Sequence, residues 1–557
     1  MQFFLDFYEK NCYLFMNFFV FLFVVLMDKL FFMLYHIIMK TIISIIPEPQ
    51  ETRVKNGLLL TKNNFALSAD DFFNDYADFL CKELQKCNVK CKINNDSKSR
   101  TSAPVQIKVT QTGSNSQTTE IIPESYTLDI NDDEILIQAA DKTGALFAIQ
   151  TLKQLILSNE GFLPCLSIKD FPQYKWRGFM LDTSRNYFSI DFIKKVLDLA
   201  SFHKMNRFHW HLTDDQGWRI HVPEYPLLTE IGSIRDAHTM PLMKDYYCDF
   251  KKKLPYYYTD EEITEIVKYA EKLNITIIPE LELTGHVSAL LASYPEFGCT
   301  GGPYKVENRW GIFNDVLCIG NENLPKIYQA CLRTVVRLFP GQWIHIGGDE
   351  CPSVRWKTCP KCQALKTKLN LSTERQLQSW LTKEISEYVV SLGKTPIGWD
   401  EVLDNTEIIP LPKDTVVQSW RKKGGGKKAV SLKHFAIMSP VNKCYLNFKN
   451  YDSFEEPGRL SFITTKTAYG FTPAGKDFSQ EDKKYMLGAE CNLWTEDLNA
   501  SKVAEYMMFP RFCALSESMW LDADKKDFAR FKKSLEAHKL RLDFMDVNYY
   551  KGKLGGD

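Results

Sequence analysis

Short apolar runs alternate with longer amphipathic segments through the last two thirds of the chain. Among the amphipathic segments, residues 259–274 open with Thr259 and Glu262 at capping-box spacing, and residues 372–393 end on a glycine, so both are predicted helices. Strand-like runs that alternate with helices predict a parallel sheet, and eight runs predict a closed (β/α)8 TIM barrel of the α/β class. The eight runs are residues 178–182, 206–213, 274–280, 342–348, 395–399, 415–420, 435–440 and 485–491.

A mixture of strand-like and helix-like segments precedes the barrel. Alternating apolar positions predict strands at 105–110, 125–130 and 134–139, and amphipathic spacing predicts helices at 69–86 and 143–157. This combination indicates a small α+β domain, in which the polar stretch 94–104 is a solvated loop. We therefore divide the chain into an apolar leader (1–44), the α+β domain (45–168), the (β/α)8 barrel (169–545) and a C-terminal tail (546–557).

The apolar leader does not have the pattern of a membrane span. Asp28 and Lys29 divide residues 13–46 into pieces shorter than the ~20 residues that a span needs. The segment also lacks the positive start of a regular signal peptide. We interpret it as an irregular signal-like leader or as sequence upstream of a mis-annotated start, and we expect an extracytoplasmic protein, periplasmic or secreted, with no membrane span in the mature domain.

The charge balance narrows the class of ligand. Lys+Arg and Asp+Glu both number 69, so the formal net charge is +0. Such a chain has no overall field to attract nucleic acid or an anionic membrane. We expect a neutral or small ligand and no nucleic-acid partner.

The cysteines suggest a metal only weakly. Cys351, Cys359 and Cys362 lie close together among the 15 cysteines, but zinc needs four ligands and no fourth stands at ligand spacing. We therefore expect a structured loop here, and neither a metal nor another cofactor.

The predicted strand ends carry the candidate chemistry. TIM barrels place their sites at the carboxyl ends of their strands, so these side chains should meet at one rim. In strand order, the residues at or after the eight ends are Asp182 and Arg185; Asp214 and Asp215; Glu282 and His286; Asp349 and Glu350; Trp399; Trp420; Tyr445 and Asn447; and Trp494 and Glu496.

Aromatic faces around acids suit a sugar ring, which indicates a glycosidase. The usual two-carboxylate mechanism needs carboxyl groups on opposite sides of the scissile bond, and the neighbours Asp349 and Glu350 are poorly placed for that. A 2-acetamido sugar removes the difficulty, because its own carbonyl oxygen can attack the anomeric carbon. The second carboxylate would then orient the acetamide and stabilise the oxazolinium charge.

Six motifs occur in order along the chain: 178-GFMLDTSRNYF-188, 209-HWHLTDDQGWR-219, 279-PELELTGH-286, 345-HIGGDE-350, 398-GWDE-401 and 491-CNLWTE-496. With them the chain resembles glycoside hydrolase family 20, the β-N-acetylhexosaminidases, from Ile45 onward. This family is a substrate-assisted exception to the two-carboxylate rule. The resemblance implies an exo-acting enzyme that hydrolyses terminal non-reducing β-linked GlcNAc or GalNAc of a glycan or chito-oligosaccharide, and it is compatible with a homodimer.

The resemblance also implies catalytic roles. Glu350 would be the general acid/base and Asp349 the acetamide-orienting carboxylate. Tyr445 would donate a hydrogen bond to the acetamide oxygen. Asp214 and His286 would form a relay behind Glu350 that tunes its pKa.

The remaining positions imply substrate contacts. Arg185 would hold the hydroxyls at C3 and C4, and Glu496 would bind on the C4/C6 side. The pocket wall would consist of Trp399, Trp420 and Trp494. Two positions depart from the family: Glu282 and Asn447 both stand where an aspartate is usual.

Two other classes stay open. A non-catalytic carbohydrate-binding barrel is disfavoured because the Asp349–Glu350 pair and Tyr445 are present. A metal-dependent barrel hydrolase could begin with His209 and His211, which alternate along one strand. Both histidines precede the strand end, so we interpret them as packed core residues.

Overall fold

The computed structural model describes residues 43–94, 105–112, 121–159, 161–236, 256–421 and 424–555. Nearly all of the predicted leader and solvated loop, and the last two residues of the tail, lie outside these ranges. Within them, no helix is both long and apolar enough to cross a membrane.

The first domain is a seven-stranded mixed sheet covered by two helices, with the strand order β1-β7-β5-β6-β4-β2-β3. The three predicted strands and both predicted helices are present, although the first helix is shorter than predicted. The predicted boundary at 168/169 falls inside the last strand. The elements are β1 Glu51–Leu60, β2 Asn64–Ala69, α1 Asn74–Gln85, β3 Lys90–Ile93, β4 Val105–Gln111, β5 Tyr126–Ile130, β6 Glu134–Ala139, α2 Lys142–Ser158 and β7 Phe162–Asp170.

The second domain is a closed barrel of eight parallel strands, as predicted, and each of the eight apolar runs overlaps one of them. Around the barrel their order is β8-β9-β12-β13-β14-β15-β16-β19, and the other four strands form two small ribbons. The strands are β8 Trp176–Asp182, β9 Arg207–His211, β10 Thr213–Asp214, β11 Gly217–Trp218, β12 Thr276–Glu280, β13 Trp343–His345, β14 Thr395–Trp399, β15 Val416–Ser419, β16 Ala436–Met438, β17 Phe448–Lys449, β18 Arg459–Phe462 and β19 Met486–Leu493.

The helices of the barrel domain differ widely in length, because several short ones belong to the loops at the strand ends. In chain order they are α3 Ile190–Phe202, α4 Leu227–Glu230, α5 Asp260–Lys272, α6 Ser288–Ser293, α7 Leu324–Leu338, α8 Val354–Thr358, α9 Pro360–Lys368, α10 Glu374–Ser391, α11 Gly424–Ser431, α12 Val441–Cys444, α13 Thr465–Tyr469, α14 Gln480–Lys483, α15 Ser501–Met508, α16 Arg511–Trp520 and α17 Phe528–Phe544.

Capping explains where the predicted helices begin and end. The Thr259 hydroxyl accepts the Glu262 N–H, and the Glu262 carboxylate accepts the Thr259 N–H at 2.9 Å, so α5 starts with the predicted capping box. Helix α10 stops at Ser391, and Gly393 follows with φ +76°, a conformation that glycine adopts without strain.

Buried polar contacts join the two domains at the amino-terminal end of the barrel strands. Lys204, which precedes β9, lies 2.6 Å from the Asp170 carboxylate of the first domain, and both side chains are fully buried. The Trp520 indole donates to the same carboxylate at 2.8 Å. These contacts lie at the amino-terminal end of β9, whereas the predicted rim lies at its carboxyl end. The contact between the domains therefore does not cover the rim.

Candidate active site

A glycine turn places the adjacent acids Asp349 and Glu350 at the rim. Gly347 and Gly348, which follow β13, have φ of +65° and +107°, and a Cβ on Gly347 would lie 2.0 Å from a Glu282 carboxylate oxygen. Only glycine fits this turn without displacing Glu282. The turn gives the two acids different surroundings: the Asp349 side chain is 13% exposed and that of Glu350 is 36% exposed.

Asp349 is a buried carboxylate with spare hydrogen-bonding capacity. Its Oδ1 is buried and has no hydrogen-bond partner among the described residues. Burial, together with the nearby Glu350 carboxylate, raises the pKa of Asp349 to about 6, against the opposing effect of His286. An acceptor held in this way suits a donor that arrives with the substrate.

His286 lies between the two acids and a carboxylate behind them. Its Nε2 is 3.6 Å from Glu350 Oε2 and 3.8 Å from Asp349 Oδ2. On the other side, its Nδ1 is 2.9 Å from Asp215 Oδ2 and 3.3 Å from Asp214 Oδ1. Burial lowers the pKa of His286, but Asp214 and hydrogen bonds to neighbouring carboxylates raise it well above its usual value. The imidazole therefore favours its charged form, and its Nε2 faces the adjacent acids without a hydrogen bond to any described residue.

The sequence predicted a relay between His286 and Asp214. In the structure Asp215 lies closer to His286 than Asp214 does. Asp215 also accepts from the Ser288 N–H and hydroxyl at 2.9 and 2.6 Å, which fixes its orientation. Asp214 instead lies 2.6 Å from Arg185 and 2.9 Å from His211. The sequence showed both acids at one strand end, but it could not show which one turns toward the histidine.

Arg185 is rigidly held at the rim. Its guanidinium contacts Asp214 at 2.6 Å and Asp182 at 3.3 Å, and its Nε donates to Gln216 at 3.0 Å. The cation lies 5.0 Å from the centre of the Trp494 ring. A guanidinium fixed in this way can present its remaining donors to sugar hydroxyls without a large loss of side-chain entropy.

His209 and His211 are buried as predicted, but their surroundings are ionic. His209 lies 2.7 Å from Glu490 and 3.0 Å from Glu280, and His211 also bonds to Glu280. Burial lowers the pKa of each ring, yet these carboxylates raise it to about 9 for His209 and about 10 for His211. Both rings are therefore fixed inside the barrel by carboxylates of other barrel strands.

Aromatic rings form a continuous surface at the rim, as predicted. Ring centroids are 5.8 Å apart for Trp399 and Trp494, 6.2 Å for Trp494 and Tyr445, and 6.4 Å for Tyr445 and Trp420. Trp399 is only 1% exposed and its indole donates to Glu280 at 2.8 Å, so it forms the floor of this surface. The Trp420 indole donates to Glu401 at 3.0 Å.

Arg459, which the sequence reasoning missed, joins the corner of the rim that contains Glu496 and Asn447. Its guanidinium is 2.6 Å from Glu496 and 4.5 Å from the Trp310 ring centre. Its backbone N–H donates to the Asn447 carbonyl, while the buried Asn447 Oδ1 has no partner among the described residues. Arg459 follows no apolar run and belongs to no recognised motif, so only the folded chain identifies it.

Two further carboxyls lie close to Asp349 beneath the surface. Glu282 packs under the glycine turn, where burial and the charge of Asp349 raise its pKa well above the usual value. Burial and Asp349 also raise the pKa of Glu401 to about 8. Both groups therefore favour the protonated form more than a free carboxyl does. Glu282 also supports the turn, and the substrate contact expected for it from the sequence stays a prediction.

The sequence analysis grouped Cys351 with Cys359 and Cys362, and this grouping is wrong. Cys359 and Cys362 gather with Cys299 and Cys318, whereas Cys351 is not a member of this group. A fourth thiol is therefore present. The sequence reasoning missed it because Cys299 and Cys318 come from an earlier loop, which only the fold brings close.

Comparison with protein families gives two matches that cover most of the chain. The family described as "Glycosyl hydrolase family 20, catalytic domain" matches residues 174–523. The family described as "Glycosyl hydrolase family 20, domain 2" matches residues 42–171.

The chain is also similar to individual proteins, among them two beta-hexosaminidases and one solved structure. The beta-hexosaminidase of Porphyromonas gingivalis is 37% identical over 438 residues, which are 77% of this chain and 54% of that protein. The beta-hexosaminidase of Vibrio furnissii is 32% identical over 401 residues, 71% of this chain and 65% of that protein. The chain thus spans between half and two thirds of the length of these relatives. The Vibrio harveyi GH20 exo beta-N-acetylglucosaminidase, solved with N-acetylglucosamine, superposes with a TM-score of 0.80 at 27% identity, covering 91% of this chain and 78% of that one.

Asp349→Asn should stabilise the fold at neutral pH. The folded state favours the protonated carboxyl, because the pKa rises from 3.8 to about 6, so ionisation above pH 6 costs the fold up to about 3 kcal/mol. Well below pH 3.8 the group is protonated in both states and the cost vanishes. Thermal midpoints at pH 7.5 and pH 3 should therefore show a gain at the higher pH only.

The matched control is Asp132→Asn, at an exposed position of the first domain, which should shift neither midpoint. A loss of stability in Asp349→Asn at pH 7.5 would show that the Asp349 carboxylate is satisfied by contacts in the folded protein.

Proposed function

The chain belongs to glycosyl hydrolase family 20, and we propose that it is an exo-acting β-N-acetylhexosaminidase that removes terminal non-reducing β-linked GlcNAc or GalNAc from glycans. The observation that carries this proposal is the unequal environment of the adjacent acids. Asp349 is buried with an unpartnered oxygen, and Glu350 is exposed beside His286. The extracytoplasmic location and the homodimer stay predictions.

In the first step, the acetamide oxygen of the bound sugar attacks its own anomeric carbon. Asp349 Oδ1 accepts the acetamide N–H, and the Tyr445 hydroxyl donates to the acetamide oxygen. The bond to the leaving oxygen breaks as Glu350 gives that oxygen its proton, which leaves an oxazolinium ion. The carboxylate of Asp349 stabilises the new positive charge at close range, where burial makes the attraction strong.

In the second step, water attacks the anomeric carbon from the face that the leaving group vacated. Glu350 now removes a proton from this water, the ring of the oxazolinium ion opens, and the acetamide is restored. Two inversions at one carbon give net retention of the β-configuration. His286 lies between Glu350 and Asp215 in both steps, so it acts as a positioning residue for the Glu350 carboxyl.

The remaining rim residues hold the terminal sugar. Arg185 binds the hydroxyls at C3 and C4, and its ion pairs with Asp214 and Asp182 keep it in place. The sugar ring packs on the indole surface formed by Trp420 and Trp494. Glu496 binds on the C4/C6 side.

The direct test compares aryl β-glycosides of GlcNAc, GalNAc and glucose. Only the first two carry the acetamide that assists cleavage, so we expect turnover of one or both and no measurable turnover of the glucoside. Equal cleavage of the glucoside would show that a protein group supplies the nucleophile. No turnover of any of the three would support the non-catalytic carbohydrate-binding barrel.

Glu350→Gln should slow the enzyme according to the leaving group. General-acid catalysis contributes about 10²–10⁴-fold, so kcat/KM for an unactivated disaccharide should fall by that order. A dinitrophenyl glycoside, whose leaving group needs no proton, should lose far less in the glycosylation step. An equal loss for both substrates would remove Glu350 from the role of acid.

Asn447→Asp should change selectivity at the C4/C6 corner. A charged acceptor bonds a hydroxyl more strongly than a neutral amide does, by roughly 1.5–3 against 0.5–1.5 kcal/mol. The variant should therefore bind plain GlcNAc glycosides more tightly and reject 6-sulfated ones. The readout is kcat/KM for the two substrates in both proteins, and an unchanged ratio would make Asn447 a neutral replacement.

A further inference from the structure

Four cysteine sulfurs meet beside the catalytic loops, and we call them the thiol cluster: Cys299, Cys318, Cys359 and Cys362. The Sγ of Cys362 is 3.8 Å from those of both Cys299 and Cys318, and Cys318 is 3.6 Å from Cys359. All four sulfurs lie within 4.8 Å of one another.

These separations match a tetrahedral metal site. Zinc–sulfur bonds of about 2.3 Å in a tetrahedron place the sulfurs about 3.8 Å apart. A disulfide would need about 2.05 Å. Cys362 and Cys318 each have two sulfur neighbours at nearly equal distances, which is the pattern of a four-membered site and not of two separate pairs.

The local backbone also has the features of a zinc-binding turn. Cys359 and Cys362 form a C-x2-C motif at the start of α9, with Pro360 in the first turn. The Gly320 backbone lies against the peptide that joins Lys361 to Cys362. A Cβ on Gly320 would lie 2.2 Å from the Lys361 carbonyl carbon, so only glycine allows this approach.

Contacts outside the thiol cluster hold its two halves together. The Trp356 indole, from α8, donates to the Leu317 carbonyl at 2.9 Å. Arg355 pairs with Asp315 at 2.8 Å. These contacts join the segment before Cys359 to the segment before Cys318, so the sulfurs are positioned by the fold itself.

We propose that the thiol cluster binds one Zn²⁺ as a closed structural site. Each thiol loses its proton, so four protons are released as four zinc–sulfur bonds form. Four protein ligands leave no open position for water or substrate, so this zinc has no part in hydrolysis.

The site would tie together the two loops that carry the catalytic residues. The loop after β13 contains Asp349 and Glu350 and runs on to Cys359. The loop after β12 contains His286 and runs on to Cys299 and Cys318. Zinc would therefore fix the distance between His286 and the adjacent acids, although its binding does not depend on the proposed reaction.

The first test is the metal content of the full chain, purified with a thiol reductant and without chelator. Elemental analysis should find about one zinc per chain. Cys299→Ser and Cys362→Ser should each lose most of it. Cys331→Ser is the matched control, because Cys331 is fully buried in α7 and outside the thiol cluster, and it should keep the zinc.

A second measurement uses only the unmutated chain, in case the variants fail to fold. Replacement of zinc by Co²⁺ should give the absorption of a tetrahedral tetrathiolate centre. Removal of the metal should lower the thermal midpoint, and Zn²⁺ should restore it.

Three results would overturn the proposal. The first is a chain with four free thiols that takes up no Zn²⁺ on dialysis. The second is mass-spectrometric detection of disulfides among these four cysteines in protein that was never exposed to oxidant. The third is iron in place of zinc.

Discussion

The site depends on keeping a carboxylate, Asp349, buried without a hydrogen-bond partner for one of its oxygens among the described residues. Such burial is costly, and Glu282 and Glu401 nearby add two more acidic groups. The fold tolerates the cluster because burial raises the pKa of those two carboxyls, which favours their neutral forms, and because His286 lies 3.8 Å from Asp349. The Asp349 Oδ1 atom is then free to accept a hydrogen bond, and in the proposed mechanism the N–H of the substrate acetamide donates it.

Much of the catalytic barrel could be predicted from the sequence, because its strands are buried and read as short apolar runs. Less of the first domain could be predicted from the sequence. Residues of β1 are almost all exposed, and this strand pairs along one edge with β7 through an irregular register, so it shows no alternating pattern. Its existence follows from tertiary pairing, which a local pattern does not record.

Some residues of the candidate site could likewise be predicted from the sequence, and others could not. The adjacent acids and the tryptophans follow strand ends and belong to recognisable motifs. The sequence placed Asp215 at the rim but assigned the relay to Asp214, because the direction of a side chain is not visible in a sequence. Arg459 was missed because it contacts Glu496 from a loop outside the recognised motifs. The thiol cluster was missed for a related reason: Cys318 and Cys359 are 41 residues apart, yet their sulfurs are 3.6 Å apart. In each case folding creates a contact between residues that are far apart in the sequence.

The central claim is that the substrate provides its own nucleophile. It is tested most directly with aryl glucosaminides whose N-acyl group is acetyl, fluoroacetyl, difluoroacetyl or trifluoroacetyl. Each fluorine weakens the carbonyl oxygen as a nucleophile while changing the shape of the sugar little. The account predicts that kcat/KM falls at every step of the series. A flat series, with turnover independent of fluorination, would contradict it.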